Sequence, residues 1–251
     1  MARYKCIMEY DGENYAGFQI QPNALTVQEC TEKALSDLFG VATKITASGR
    51  TDSGVSARGQ VIHFDSYTEI AEDKIPFALK SFLPNDIAII SCAKANDEFH
   101  ARFSAKAKTY SYQICITKIN RPLYKKHYQY PYNIDLDLLN AALLKIKGKH
   151  NFKAFMSSGS DISNFEREIY DIELIKTAND CFTIKITANG FLYNMVRIIV
   201  GTALDIARGK IDIANLDKMF ESGDRNLGGH TAPPEPLTLE EVFYWQYITN
   251  F

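Results

Sequence analysis

Residues Arg3 to Tyr10 alternate polar and apolar side chains, with Tyr4, Cys6, Met8 and Tyr10 on one side. That period of two predicts a strand with one face in a core. Asp11-Gly12 turns it. Thr26-Val-Gln-Glu29 then reads as a capping box: the Thr26 hydroxyl accepts from the third helical N–H and Glu29 reaches back. A helix follows with Val27, Cys30, Ala34 and Leu38 on one face and a stop at Gly40. Short strands are predicted over Thr43–Ala47 and Gln60–Asp65, a helix opened by Pro76 that ends before Pro84, and a strand over Asp86–Ala95.

The second half repeats this order. A strand is predicted over Thr109–Thr117. Asp135 caps a helix with Leu139, Ala142, Leu143 and Ile146 on one face, ending at Gly148. Glu168–Lys176 and Cys181–Thr187 are strands joined by Ala178-Asn-Asp180. A long helix runs from Phe191 to Arg208 and stops at Gly209, and a last strand covers Glu241–Ile248. Each half therefore reads β-α-β-β-α-β, and the predicted class is α+β: two ferredoxin-like halves, residues 1–100 and 101–251, with antiparallel sheets flanked by helices and a central active-site cleft. A boundary near Glu98–Lys108 follows. The 251 residues are enough for one large domain or two small ones.

Composition narrows the class little. At 46% hydrophobic and 23% charged the chain is ordinary for a globular protein. The start, Met1–Asp11, lacks the apolar run of a signal peptide, and the longest apolar stretch, Phe191–Ala207, is broken by Asn194, Arg197 and Asp205, so no membrane span is expected. Cys6, Cys30, Cys92, Cys115 and Cys181 lie far apart without a C-x-x-C, and the expectation is reduced thiols in a cytoplasm with no disulfide frame and no metal site. The net charge of −2 leans away from nucleic acid, but Ala101–Lys126 holds Arg102, Lys106, Lys108, Lys118, Arg121, Lys125 and Lys126 and no acid. That window is either a solvated surface or a local positive face.

The densest candidate for chemistry is Gly49-Arg-Thr-Asp-Ser-Gly54. Its glycine spacing is that of a Walker A loop, but Val55-Ser56 stands where Lys and Ser/Thr are needed, so that reading fails. Asp52-Ser-Gly also matches half of an aspartic protease, which needs a second carboxylate to share a proton; no second D-[S/T]-G exists in the chain. A plain turn is the remaining alternative. Two segments compete with it. Arg197 sits in a helix with apolar neighbours, a position that calls for snorkelling or a carboxylate partner. Tyr110 and Tyr112 lie two apart on a strand and share a face, as core or as a stacking platform for bases.

Together these segments resemble the tRNA pseudouridine synthase A (TruA) family. The likeness runs through Tyr10–Gln21, Thr26-Val-Gln28, Gly49–Phe64, Leu83-Pro84, Phe99–Ala105, Lys108-Thr-Tyr110, Asn151-Phe152, Gly190–Gly201 and Thr231–Pro234. It implies a cofactor-free, metal-free isomerisation of uridine to pseudouridine at nucleotides 38–40 of tRNA, by a cytoplasmic homodimer with no membrane attachment. The family's catalytic aspartate falls on Asp52, the tyrosine that packs on the target base on Tyr110, and the surrounding arginines on Arg50 and Arg197. Arg58, Arg102, Lys106 and Lys108 are candidate contacts to the RNA backbone. The sequence departs from the family pattern at Phe18, where tryptophan is usual, at Ser56, where histidine is usual, at Pro236, and in Arg167-Glu-Ile169. A diverged RNA-binding paralogue with weak or altered catalysis is the alternative those departures suit.

Overall fold

A computed structural model describes residues 1–159 and 162–244. The first strand, β1 (Ala2–Tyr10), forms as the alternation predicts. Helix α1 (Val27–Phe39) starts at Thr26, whose hydroxyl accepts from Glu29 N, a cap worth about 1 kcal/mol. It ends at Gly40, held at φ +69° in the left-handed region. Its inner face is Val27, Thr31, Ala34, Leu35 and Phe39 rather than the predicted Cys30 and Leu38 stripe. The rotation has a cause: Glu32 also turns inward, because Lys44 Nζ (2.8 Å), Gln28 Nε2 (2.9 Å) and Ile45 N (3.2 Å) all donate to its carboxylate. Strands β2 (Thr46–Ala47) and β3 (Ser56–Ser66), helix α2 (Ile75–Leu79) and strand β4 (Ile87–Ala95) follow.

The second half opens with β5 (Ala107–Ile116) and a three-residue strand β6 (Tyr128–Tyr130) that the sequence pattern does not announce. Helix α3 (Leu136–Ile146) is capped by Asp135 and buries the four predicted residues. It stops two residues short of Gly148, which at φ +110° begins β7 (Gly148–Asn151) instead. Strands β8 (Glu166–Ala178) and β9 (Cys181–Ala188) come next. Helix α4 (Met195–Ala207) starts four residues later than predicted, because Asn194 takes a left-handed backbone at φ +60° and no helix passes through it. Helix α5 (Asn215–Ser222) and strand β10 (Leu237–Phe243) complete the described elements. The last strand thus begins four residues before its predicted start, and the predicted part beyond residue 244 lies outside the described residues.

The chain clusters into two compact units: Met1–Lys106 joined by the segment from Thr238, and Ala107–Leu237. In the first, β3 is antiparallel to both β1 and β2, so the strands joined through α1 are parallel with β3 between them. That is the split β-α-β arrangement. Strand β4 pairs antiparallel with β1, and β10 runs parallel to β3 with Thr238 opposite Ser56. In the second, β9 is antiparallel to both β5 and β8, giving the same split order, while β7 and β6 extend it. The class is α+β with mainly antiparallel pairing, as predicted.

Against the expectation of five free thiols, Cys6 and Cys92 are joined as a disulfide across β1 and β4, where they stand opposite each other with Cα atoms 4.1 Å apart. They are separated by 86 residues, so nothing local in the sequence pairs them. Cys115 and Cys181 are likewise opposed on β5 and β9, as buried thiols.

Candidate active site

The loop from Ser48 to Val55 joins β2 to β3, and its shape follows from its glycines and a buried amide. Val55 N donates to Asp52 O at 3.1 Å, closing a four-residue turn whose third position is Gly54 at φ +80°. That geometry is a type II turn, which needs glycine there. Fully buried Gln60 ties the other end: Ser48 Oγ donates to its carbonyl at 2.7 Å, and its amide donates to Gly49 O at 2.9 Å. Between them the buried Thr51 hydroxyl and the Tyr10 hydroxyl are hydrogen-bonded at 2.8 Å. Burial pushes the Tyr10 phenol up to about 12, against hydrogen bonds to Thr51 and Gln60, so it stays neutral.

The segment after β1 packs backbone to backbone on this loop. Phe18 N donates to Thr51 O at 3.1 Å, Ser53 Oγ to Tyr15 O at 3.2 Å and Gly54 N to Tyr15 O at 3.4 Å. The approach leaves no room for a side chain at two positions of that segment: a Cβ on Gly12 would sit 2.2 Å from Val55 O, and one on Gly17 2.9 Å from Thr51 O. Asp52, half-buried, therefore projects from a loop held on both sides, with exposed Arg50 two residues away. Two of the departures fill structural roles here. Phe18 is 2% exposed and packs on Tyr10, and Ser56 Oγ accepts from Gly12 N at 3.1 Å.

Tyr110 and Arg197 lie in the second unit. Tyr110 is buried on β5 with Phe191 edge-on to it at 5.0 Å. Tyr112 shares its face, as the spacing predicts, but is core: fully buried, with its hydroxyl donating to Pro233 O at 2.8 Å. Burial raises the Tyr112 phenol far above its ordinary value. Arg197 stands in the first turn of α4, half-buried. Its Nε donates to Ala232 O and its Nη1 to Asn194 Oδ1, each at 2.7 Å. Ala232 N returns a bond to Arg197 O at 3.1 Å. Asn194 is fixed in turn by donating to Ser157 Oγ at 2.9 Å. Its left-handed backbone thus both delays the helix and presents the acceptor that orients the arginine.

The basic candidates are dispersed. Arg58 donates to both carboxylate oxygens of Glu240, at 2.7 and 3.0 Å, so its charge is already offset within the first unit. Arg102 is exposed and stands over the Phe103 ring at 5.7 Å, and Lys106, four residues on, is exposed as well. Lys108 belongs to the second unit, on β5. Among the described residues no cluster of His, Cys, Asp or Glu could hold a metal ion, and no helix is long and apolar enough to cross a membrane.

A sequence profile of tRNA pseudouridine synthases matches residues 6–104 and 142–245, and so covers both the Asp52 loop and the Arg197 helix. The chain belongs to the tRNA pseudouridine synthase family. A relative from Geobacillus sp. (strain WCH70) named tRNA pseudouridine synthase A is 44% identical over 96% of this chain and 98% of its own. One of the same name from Streptococcus mutans is 42% identical over 97% of this chain and 99% of its own. A solved Cbf5-Nop10-Gar1 complex aligns with 94% of this chain and 58% of that one at 10% identity, with a TM-score of 0.38, a likeness too low to add to the assignment.

In this synthase chain the structure adds, around the candidate residues Asp52 and Arg197, side chains that hold them in place. Gln60, Tyr10, Asn194 and the Ala232 carbonyl all lie in segments of the likeness, but the contacts that give them their roles form only on folding.

Proposed function

We propose that this chain converts uridine to pseudouridine at nucleotides 38–40 in the anticodon arm of tRNA, in the cytoplasm and as a homodimer. The observation that carries the reading is the near full-length match to relatives named tRNA pseudouridine synthase A, with Asp52 on its braced loop inside the matched region.

The reaction breaks the bond from ribose to uracil N1, turns the base and reattaches it through C5. It is redox-neutral and moves no phosphoryl group, so the chemistry requires a nucleophile rather than a cofactor. In this reading the Asp52 carboxylate adds to C6 of uracil or to C1′ of the ribose, dividing one hard step into two easier ones. A guanidinium beside a carboxylate favours its ionised form; in this reading Arg197, together with Arg50, serves Asp52 in that way, and an arginine holds RNA during extrusion of the base. Tyr110 receives the flipped base, with its hydroxyl as a relay for the proton lost from C5. Arg102, Lys106 and Lys108 neutralise backbone phosphates, and Arg58 contributes less because Glu240 already holds it.

The test uses unmodified tRNA carrying C5-tritiated uridine. The expected result is tritium release by the unaltered chain and background release by Asp52→Ala. No release from any tRNA would remove the synthase reading, and release that survives Asp52→Ala would remove Asp52 as nucleophile.

A further inference from the structure

Arg197, Gly201 and Asp205 recur every four residues along α4, so they line one stripe of the helix. The segment Gly229–Ala232 lies along that stripe and is bonded to it at each end. At the far end the Asp205 carboxylate, 2% exposed, accepts from His230 N at 3.2 Å and from His230 Nδ1 at 3.2 Å. Lys210 Nζ donates to the same oxygen at 3.1 Å. Gly229 N donates to Thr202 Oγ1 at 3.0 Å. At the near end Ala232 exchanges two bonds with Arg197. Between the ends the His230 carbonyl crosses Gly201 so closely that a Cβ there would lie 1.9 Å from its oxygen.

We propose that Asp205 and His230 form a latch that positions Arg197: by anchoring the Gly229–Ala232 segment at one end they set the Ala232 carbonyl that aims the arginine at the other. The inference rests on the reading above, in which Arg197 serves the synthase site. Both are positioning residues, not catalytic ones.

The two anchors are close in the chain. His230 is held on Asp205 and Ala232 on Arg197, with only Thr231 between them. In this proposal a shift of His230 on loss of its ring contact is passed through that one residue to the Ala232 carbonyl.

The chemistry of the far end fixes the imidazole as well. A carboxylate only accepts, so His230 Nδ1 carries the proton, and in the neutral ring Nε2 accepts from the Tyr128 hydroxyl at 3.2 Å. Tyr130 lies parallel to the ring at 8°. Burial alone would push the Asp205 carboxyl up, but the hydrogen bonds from His230 and Lys210 outweigh it and hold it below its ordinary value. The acceptor is therefore charged and committed across the neutral range.

The test compares His230→Leu, which removes the Nδ1 donor, with His230→Asn, whose amide can restore it. Steady-state tritium release should show kcat lowered about tenfold to a hundredfold in His230→Leu, with KM for tRNA within about twofold, because the reacting groups are misaligned by an ångström or so. His230→Asn should recover kcat to within about threefold. In parallel, hydrogen exchange at the Ala232 amide should quicken in His230→Leu and return toward the unaltered rate in His230→Asn. An unchanged kcat in His230→Leu, a loss that His230→Asn does not restore, or an Ala232 amide that exchanges alike in all three overturns the latch. If the unaltered chain releases no tritium, the synthase reading fails, while the exchange measurement still judges the latch.

Discussion

His63 shows how far one buried side chain can set the behaviour of its surroundings. Its Nδ1 accepts from Ala101 N at 3.1 Å, so the proton of the neutral ring is on Nε2, and protonating Nδ1 would break that bond. Burial first, then Arg3 and His100, lower the imidazole from 6.5 to about 4, with Asp65 opposing. The unfolded chain therefore binds a proton through a window where the folded one does not. The contribution of this group to stability should be flat above pH 6.5 and fall as pH drops from 6.5 to about 4, by on the order of 2 kcal/mol. Urea denaturation against pH checks this, with His63→Gln expected to remove that part of the slope. At this scale the sequence was most legible where chemistry is unusual. Asp52 between glycines and Arg197 among apolar residues stand out without a structure. Gln60 and Asn194 do not, because their importance lies in what their amides meet after folding.

Among the elements, α4 is the one whose sequence and structure disagree most usefully. Its apolar run predicts a helix from Phe191, and the left-handed Asn194 cuts it to Met195. Gly201 in its middle looks like a weak point, since alanine there should favour a free helix by about 1 kcal/mol. The structure reverses the sign. With His230 O 1.9 Å and His230 C 2.8 Å from the added carbon, neither of them a mobile side-chain end, Gly201→Ala should destabilise the protein by about 2–4 kcal/mol. A thermal melt that rises in this variant would show that the crossing is looser than described. Capped helices were legible because caps are local: Thr26 and Asp135 name their own starts. Strands β6 and β7, at three and four residues, are too short to carry a period, and α5 was missed because its buried residues, Leu216 and Met219, are only two.

For the whole molecule, charge is the quantity that reaches furthest. A net −2 chain that binds tRNA must do so with local cations, so affinity should fall steeply with salt. Replacing Arg102, Lys106 and Lys108 together by glutamine should flatten the slope of log affinity against log salt by roughly 2 to 3, while Arg58→Gln should change it least, its guanidinium being already on Glu240. Fluorescence anisotropy over a salt series reads both, and equal effects of the two variants would contradict the assignment. The strand-helix-strand core of each half was legible because alternation and caps report on their own neighbourhoods, but the last strand, expected to close the second half, clusters with the first unit instead. The pairing of β10 with β3 was not, since it joins Thr238 to Ser56 across most of the chain.

That pairing bears on how the protein is made. Synthesis proceeds from the N-terminus, and domains generally fold in that order as they emerge. Here β1 to β4 leave the ribosome early, but the strand that lies beside β3 is not translated until the whole of Ala107–Leu237 has been. Until then that part of β3 lacks the strand that lies beside it, so the first unit is begun at one end of the chain and closed at the other.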